Sequence, residues 1–158
     1  MISLKNKSKG FTIVELLIVI VIIGILATLV IVTFTGIQKK ARDSQRQTDI
    51  NAVDSHVEAF YAQYGFYPTL KDLQTASFLT ANLKGLDPQA LVDPKGGAVS
   101  GTASATNYSY VAVGTVPANC DNTVATDPSG ATTTNNGCDS FTLTANLESG
   151  GTYQKKSN

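Results

Sequence analysis

An unbroken apolar stretch near the N-terminus limits what this chain can fold into more than any other feature. Residues 16–38 carry no charged side chain, and the 23-residue run is bounded by Glu15 and Lys39. A helix over residues 11–34 would be about 36 Å long, because each helical residue adds about 1.5 Å. The hydrocarbon core of a bilayer is about 30 Å thick, so this stretch predicts a membrane-spanning helix.

A signal peptide and a buried core helix both fit the apolar run less well. A cleaved secretory signal peptide has an apolar region of only about 7–15 residues, followed by a small-residue cleavage site. The run here is longer, and the sequence ATLVIVTF (residues 27–34) offers no convincing site of that kind. A buried helix of a globular protein usually keeps one polar face, whereas this segment is apolar around its whole circumference.

The rest of the chain excludes several classes of protein. With 158 residues, two Cys, one His and a formal net charge of zero, it is neither a disulfide-dense miniprotein nor a zinc finger. Beyond residue 50 it has five basic and nine acidic side chains, so direct nucleic-acid binding is not expected. No nucleophile elbow, phosphate loop or paired ligand set is present. We therefore expect no enzyme, no cofactor and no metal site.

Glu15 is out of place at the start of such a helix. A carboxylate inside a membrane is costly unless it finds a partner or reaches the headgroups. Its side chain either extends to the headgroup region or awaits a cation. The residues alone leave the choice between these two roles open.

The N-terminal residues resemble a known family. Lys9, Gly10, Phe11 and Thr12, followed by Glu15 and the apolar run, are similar to the class III leader and first helix of type IV pilins and pseudopilins. The resemblance is close over residues 9–68 and loose beyond. It implies that a prepilin peptidase cuts after Gly10, that Phe11 becomes N-methylated, and that Glu15 pairs with the N-terminal amine of a neighbouring subunit.

Such a cut would change the charges near the helix start. It would remove three lysines and leave nine basic and twelve acidic side chains, a net charge of −3. Within one subunit, the Phe11 amine is the only partner that we expect for Glu15. Many family members have a helix-kinking proline where this chain has Val32, so melting of the helix on assembly is in doubt here. The β-branched residues 30–33 still weaken helix propensity.

The polar segment that follows predicts a helical stem. Lys39 and Asp43, and likewise Arg46 and Asp49, have the spacing of helical ion pairs. These charges either contact lipid phosphates or meet acids of adjacent subunits. An apolar stripe then continues the helix to Tyr64, and a glycine and a proline are expected to end it; the stripe and these two residues are Ile50, Val53, Val57, Phe60, Tyr61, Tyr64, Gly65 and Pro68.

The remaining residues predict a small head of mixed structure. Thr69, with Asp72 as its reciprocal partner, is expected to cap a helix over residues 70–83, and a loop is expected over 85–106. Alternating residues predict strands over 107–116 and 139–148 and a short strand near Tyr153; the inward residues are Tyr108, Tyr110, Ala112, Phe141, Leu143, Ala145 and Leu147. The fold class is α+β and type IV pilin-like, with a long N-terminal helix packed on an antiparallel sheet.

The expected organisation is a leader (1–10), a transmembrane and assembly helix (11–34), a helical stem (35–67) and a head (68–158). For an exported head, Cys120 and Cys138 are expected to form a disulfide around a polar loop, as many pilins do. Asp121, Asp127 and Asp139 near this loop lack the spacing of a calcium-binding loop, so a solvated loop is expected there.

The function implied by the resemblance is structural. We expect a subunit that forms a helical homo-oligomeric filament, with prepilin peptidase, the assembly machinery and membrane lipid as partners. Alternatives are a pseudopilin of a type II secretion or competence system, or a membrane-anchored binding head that never polymerises. The resemblance places the protein in the cytoplasmic (inner) membrane with its head outside the cytoplasm, and in a surface or periplasmic filament after assembly.

Overall fold

The computed structural model describes residues 10–115, 120–123 and 138–157. Two compact units are present, Met1–Gln38 and Lys39–Asn158. The leader residues 1–9, the middle of the predicted polar loop and Asp127 lie outside the described residues. The elements are α1 (Ile13–Tyr64), α2 (Leu70–Leu73), α3 (Ala76–Asn82), a 3-10 helix (Pro88–Leu91), β1 (Ser109–Val113), β2 (Ser140–Asn146) and β3 (Thr152–Lys156).

Helix α1 confirms the predicted long helix. It contains 52 residues and is followed by Gly65, whose φ of +80° suits a residue without a side chain. The Gly65 N–H donates to the Tyr61 carbonyl at 2.7 Å. By length and composition α1 could cross a membrane, and its most apolar 18-residue window, with a mean hydropathy of 3.3, has no buried residue. None of the described residues therefore covers this apolar window.

The second unit has one apolar core. Four residues of the predicted α1 stripe are buried there, Ile50, Val53, Val57 and Phe60, whereas Tyr64 is half-buried and Tyr61 is exposed. The stripe packs with a three-stranded antiparallel sheet of order β1-β2-β3. The predicted inward residues of the strands are buried as well, except that Leu147 is half-buried because it follows the end of β2 in the turn to β3. The fold confirms the pilin-like α+β class.

The predicted single helix over residues 70–83 is wrong. The capping box of Thr69 and Asp72 is present, but α2 ends at Leu73 and a separate helix, α3, begins at Ala76. The helix is interrupted at Thr75, which has an extended backbone. The Thr75 hydroxyl donates to the Lys71 carbonyl at 2.7 Å. A threonine hydroxyl that satisfies a helix carbonyl in this way competes with continuation of the helix.

The predicted loop over residues 85–106 is partly ordered into helix. Asp87 caps the 3-10 helix Pro88–Leu91 by accepting a hydrogen bond from the Gln89 N–H at 2.9 Å. Pro88 occupies the first helical position, where its missing N–H costs nothing. Proline therefore starts this short element, whereas the sequence pattern alone indicated only a breaker.

A disulfide joins Cys120 to Cys138, as the sequence predicted. Cys138 is fully buried, and its carbonyl accepts the Tyr67 N–H at 2.8 Å. Near the other end of the loop, the Asn122 side chain accepts the Leu70 N–H at 3.2 Å and donates to the Ala112 carbonyl at 2.7 Å. Both ends of the polar loop are therefore fixed to the core of the head.

We predict that removal of this disulfide destabilises the head without affecting membrane insertion. In the chain-entropy model a cross-link that closes a loop of this size contributes about 3 kcal/mol. The Cys120→Ala, Cys138→Ala double variant should unfold at a lower urea concentration than the unaltered protein. Unfolding in detergent is measured by the near-ultraviolet circular dichroism of the tyrosines. Two freely alkylatable thiols in the native exported protein would contradict the prediction.

Candidate functional site

Helix α1 begins with a reciprocal capping arrangement between Thr12 and Glu15. One carboxylate oxygen of Glu15 accepts the Thr12 N–H at 2.9 Å and the Thr12 hydroxyl at 2.8 Å. The Thr12 hydroxyl in turn accepts the Glu15 N–H at 3.2 Å. This is a capping box, in which a residue at the helix start and one three positions later satisfy each other's backbone N–H groups.

This arrangement corrects the expectation that the Phe11 amine is the only partner for Glu15 within one subunit. The spacing Thr-x-x-Glu before an apolar run was visible in the sequence and is itself the signature of a capping box. Thr12 supplies two hydrogen bonds to the carboxylate. Glu15 thus has a local partner that requires neither a cleaved chain nor a neighbouring subunit.

Gly10 and Phe11 lie directly before this helix start and outside the helix. Both are exposed, and Phe11 has an exposed fraction of 88%. A side chain at position 10 would meet no atom within 4 Å. The structure brings the three predicted N-terminal site residues together within one short stretch, whereas Cys120 and Cys138 belong to the head.

The polar side chains inside the apolar segment are satisfied by their own helix. The hydroxyls of Thr28, Thr33 and Thr35 donate to carbonyl groups one turn earlier, at 2.9, 2.5 and 3.0 Å. Such bonds remove hydroxyl donors that an apolar environment could not satisfy. The surface of this segment therefore suits contact with lipid or with other apolar helices.

The stem holds its charges in an ion network that the sequence spacing did not predict. Arg46 is fully buried and binds Asp93 with two nitrogens, at 2.7 and 3.0 Å. A nitrogen of the same guanidinium donates to Asp43 at 2.9 Å and approaches Glu148 at 3.3 Å. One guanidinium thus joins the stem, the segment after the 3-10 helix and the turn between β2 and β3.

The predicted stem pairs, Lys39 with Asp43 and Arg46 with Asp49, are not among the ion pairs of the described residues. Asp43 instead accepts the N–H groups of Glu148 and Ser149 at 2.8 and 2.9 Å. Asp49 accepts the Tyr108 hydroxyl at 2.8 Å. Asp43 also keeps a local helical partner, but this partner is Arg46 and not Lys39. The hydrogen bonds from the head fix both carboxylates in place, whereas an exposed helical ion pair contributes little.

The network lowers the pKa values of two of its acids, Glu148 and Asp43. Hydrogen bonding by Arg42, at 2.6 and 2.8 Å, together with Lys95, lowers the pKa of Glu148 to about 2. Burial acts to raise the pKa of Asp43, but the N–H groups that it accepts and the Arg46 guanidinium outweigh burial and hold the pKa below its usual value. Both acids are therefore bound in their charged form.

We predict that the head loses stability in acid between about pH 4.5 and pH 2. A carboxylate whose pKa is lowered in the folded state stabilises the fold above its unfolded pKa, and that stability is lost as the pH falls through the folded pKa. For Glu148 these limits are the ordinary value of 4.5 and the folded value of about 2. The free energy of unfolding should fall across this interval in urea titrations.

The Glu148→Gln variant should show a shallower decrease in the same interval. Glu58→Gln is the matched control, since Glu58 accepts from the Tyr67 hydroxyl at 3.1 Å and not from a cation. If the Glu148→Gln variant and the unaltered protein have equal slopes, Glu148 does not contribute in the way its contacts indicate.

Two of the three acids near the polar loop, and the single histidine, lie among the described residues. Asp121 and Asp139 accept hydrogen bonds from Thr123 and Thr115, respectively, and the described residues contain no group of three His, Cys, Asp or Glu side chains that could hold a metal ion. His56 is half-buried beside a cavity of about 250 Å³. Its Nδ1 lies 2.8 Å from the Ala52 carbonyl.

Comparison with known proteins gives matches at the N-terminal part of the chain. The family model described as "Prokaryotic N-terminal methylation motif" matches residues 5–31. The type II secretion system core protein G of Escherichia coli is 38% identical over 64 residues, which are 40% of this chain and 44% of that protein. The type IV major pilin protein PilA of Myxococcus xanthus is 34% identical over 61 residues, 39% of this chain and 28% of that protein.

A longer match is to the type II secretion system core protein G of Klebsiella pneumoniae, which is 29% identical over 92 residues, 58% of this chain and 64% of that protein. The chain thus spans less than half of most of the relatives it matches and less than two thirds of this one. No solved structure matches. These matches confirm the resemblance to type IV pilins and pseudopilins that the N-terminal motif indicates.

Proposed function

We propose that this protein is a structural subunit of a type IV pilus-like filament, matured by prepilin peptidase and polymerised through its N-terminal helix. The observation that carries the proposal is a cleavage-type motif directly before an apolar helix that its own chain leaves uncovered. Gly10 and Phe11 are exposed and precede the helix, and Glu15 lies in its first turn. The methylation motif at residues 5–31 supports the same function.

The physical argument starts from the uncovered apolar surface. Its large side chains are about half exposed or more along the whole segment from Phe11 to Ile37, so lipid must cover them before assembly. In a filament, the same segments of neighbouring subunits would cover one another. The head needs no such change, because its core is complete within the second unit.

Glu15 gives this assembly a charge to satisfy. In the single chain its carboxylate accepts hydrogen bonds from Thr12, which lowers the cost of keeping it near the membrane. Cleavage after Gly10 would create an amine at Phe11. Inside a dry bundle the attraction between that amine and the Glu15 carboxylate of a neighbour is stronger than in water, so each added subunit would satisfy one charge of each sign.

We divide the chain into a leader (1–10), a transmembrane and assembly helix (11–34), a stem (35–67) and a head (68–158), and processing would remove the leader. The protein is membrane-anchored, and we place it in the inner membrane with its head outside the cytoplasm. Its proposed partners are copies of itself, prepilin peptidase, the assembly machinery and membrane lipid. We assign it no catalytic role, since the family that it resembles is structural.

A second candidate is a pseudopilin of a type II secretion system. Several relatives carry the name type II secretion system core protein G, whereas a major pilin matches over a similar segment. Imaging of cells with and without this chain separates the two functions. Loss of long surface pili indicates a major pilin, and retained pili with lost secretion indicate a pseudopilin.

We predict that the mature chain begins at Phe11. Intact-mass spectrometry of membrane and filament protein should show removal of residues 1–10 and the addition of one methyl group. A Gly10→Val variant should accumulate uncleaved, because the resemblance implies a peptidase that cuts after a small, flexible glycine. The substitution should not disturb the chain itself, since a side chain at position 10 has open space around it. Filament protein that still begins at Met1 would rule out this processing.

We predict that the charge of Glu15, and not its capping bond, drives assembly. Glu15→Ala loses both, whereas Glu15→Gln keeps an oxygen that can cap the helix and loses only the charge. Both variants should insert and be cleaved, and both should yield far fewer sheared filaments; Glu15→Asp should be intermediate because of its shorter side chain. Normal filament yield from Glu15→Gln would show that the pair with the amine is not needed.

A further inference from the structure

We propose that Lys39 and Lys40 form a binding surface for the phosphate groups of anionic phospholipids. This inference rests on the proposed function, because it requires the apolar segment to lie in a bilayer. It adds a particular lipid class and two particular residues to the membrane-anchored state. Three observations carry it: the partners of the neighbouring charges, the position of the lysines along the helix and the acids within reach.

The two lysines are left without an ion partner by the network beside them. Asp43, the expected partner of Lys39, already accepts three donors, from Arg46, Glu148 and Ser149. Arg42 is bound by two nitrogens to Glu148. In the part of the chain that the structure describes, neither Lys39 nor Lys40 forms an ion pair, and both are exposed.

The network beside the lysines carries no net charge. Its three cations and three acids balance; they are Arg42, Arg46, Lys95, Asp43, Asp93 and Glu148. Among the described residues at this part of the stem, the unbalanced positive charge is therefore that of Lys39 and Lys40. A cationic patch of this kind attracts an anionic surface over roughly a Debye length, about 10 Å at moderate salt.

Position along the helix places the two lysines at headgroup depth. They are the first charged residues after the uncharged run 16–38, which as helix is about 34 Å long. This length matches the hydrocarbon core of about 30 Å, and lysine side chains extend further toward the interface. Lipid phosphates are thus the anions that surround these ammonium groups while the subunit is stored in the membrane.

Carboxylates of a second copy are the competing partner, and the structure favours them less. On the same helix, the half-buried Asp54 already pairs with Lys155 at 3.3 Å. The exposed acids Asp87, Asp121 and Asp139 belong to the head and each accept hydrogen bonds from nearby residues. Glu58 accepts the hydroxyl of Tyr67 at 3.1 Å. Between Glu15 and Asp43 the chain has no acid at all, so neighbouring apolar segments would bring none to this level.

The test uses the full chain in vesicles of phosphatidylcholine with a minority of phosphatidylglycerol. Electron paramagnetic resonance of spin-labelled phosphatidylglycerol and phosphatidylcholine measures which lipid the protein retains. The Lys39→Gln, Lys40→Gln variant is compared with Lys71→Gln, Lys84→Gln, a matched control that removes two exposed head lysines. Flotation of the vesicles first establishes that each protein is membrane-bound, so that a failure of anchoring counts against the proposed function and not against the lipid site.

The unaltered protein and the control should both prefer phosphatidylglycerol at low salt. The preference should fall by about fivefold for each lysine removed and should weaken at high salt. Equal retention of the two lipids by the unaltered protein would overturn the proposal. An unchanged lipid preference in the Lys39→Gln, Lys40→Gln variant would also overturn it. If that variant keeps its lipid preference but loses filaments, the lysines instead bind carboxylates of a second copy.

Discussion

Among the described residues, none covers the apolar segment at the start of α1, and the proposed function depends on that constraint. More than twenty consecutive uncharged residues cannot remain in water, because each buried aliphatic side chain is worth about 1.5–3 kcal/mol relative to an exposed one. Lipid can cover the segment, and so can equivalent segments of other copies. In the proposed function, assembly exchanges the first cover for the second.

The second unit makes that exchange possible because it is complete by itself. Its stem joins the rest of the head through the Arg46 network and, further along, through the apolar stripe that starts at Ile50. Breaking a buried ion pair from one side costs about 3–5 kcal/mol, so the fully satisfied Arg46 holds the start of the stem to Asp93 and to the β2–β3 turn. These contacts and the apolar core of the described head residues all lie within the second unit.

The sequence was sufficient to predict features that depend on local periodicity. It was not sufficient where residues far apart in the chain determine which contacts a side chain makes. The stripe of α1, the alternation in β1 and β2 and the Thr69 cap follow from spacing alone. Asp43 lies at helical spacing from Arg46, but the other two partners, Asp93 and Glu148, lie 47 and 102 positions away, and no helical spacing rule reaches them. The break at Thr75 and the Thr12 capping box differ, since both have local signals: a hydroxyl that competes with the helix, and the Thr-x-x-Glu spacing at its start.

A helical reconstruction of sheared filaments tests the central claim most directly. The account predicts that the apolar segments from Phe11 to Ile37 pack together along the filament axis with the heads outside. It also predicts that each Glu15 carboxylate lies within hydrogen-bond distance of the Phe11 amine of a neighbouring subunit. A filament held together by contacts between heads alone would contradict the account, if each Glu15 is also hydrogen-bonded only to Thr12 of its own subunit.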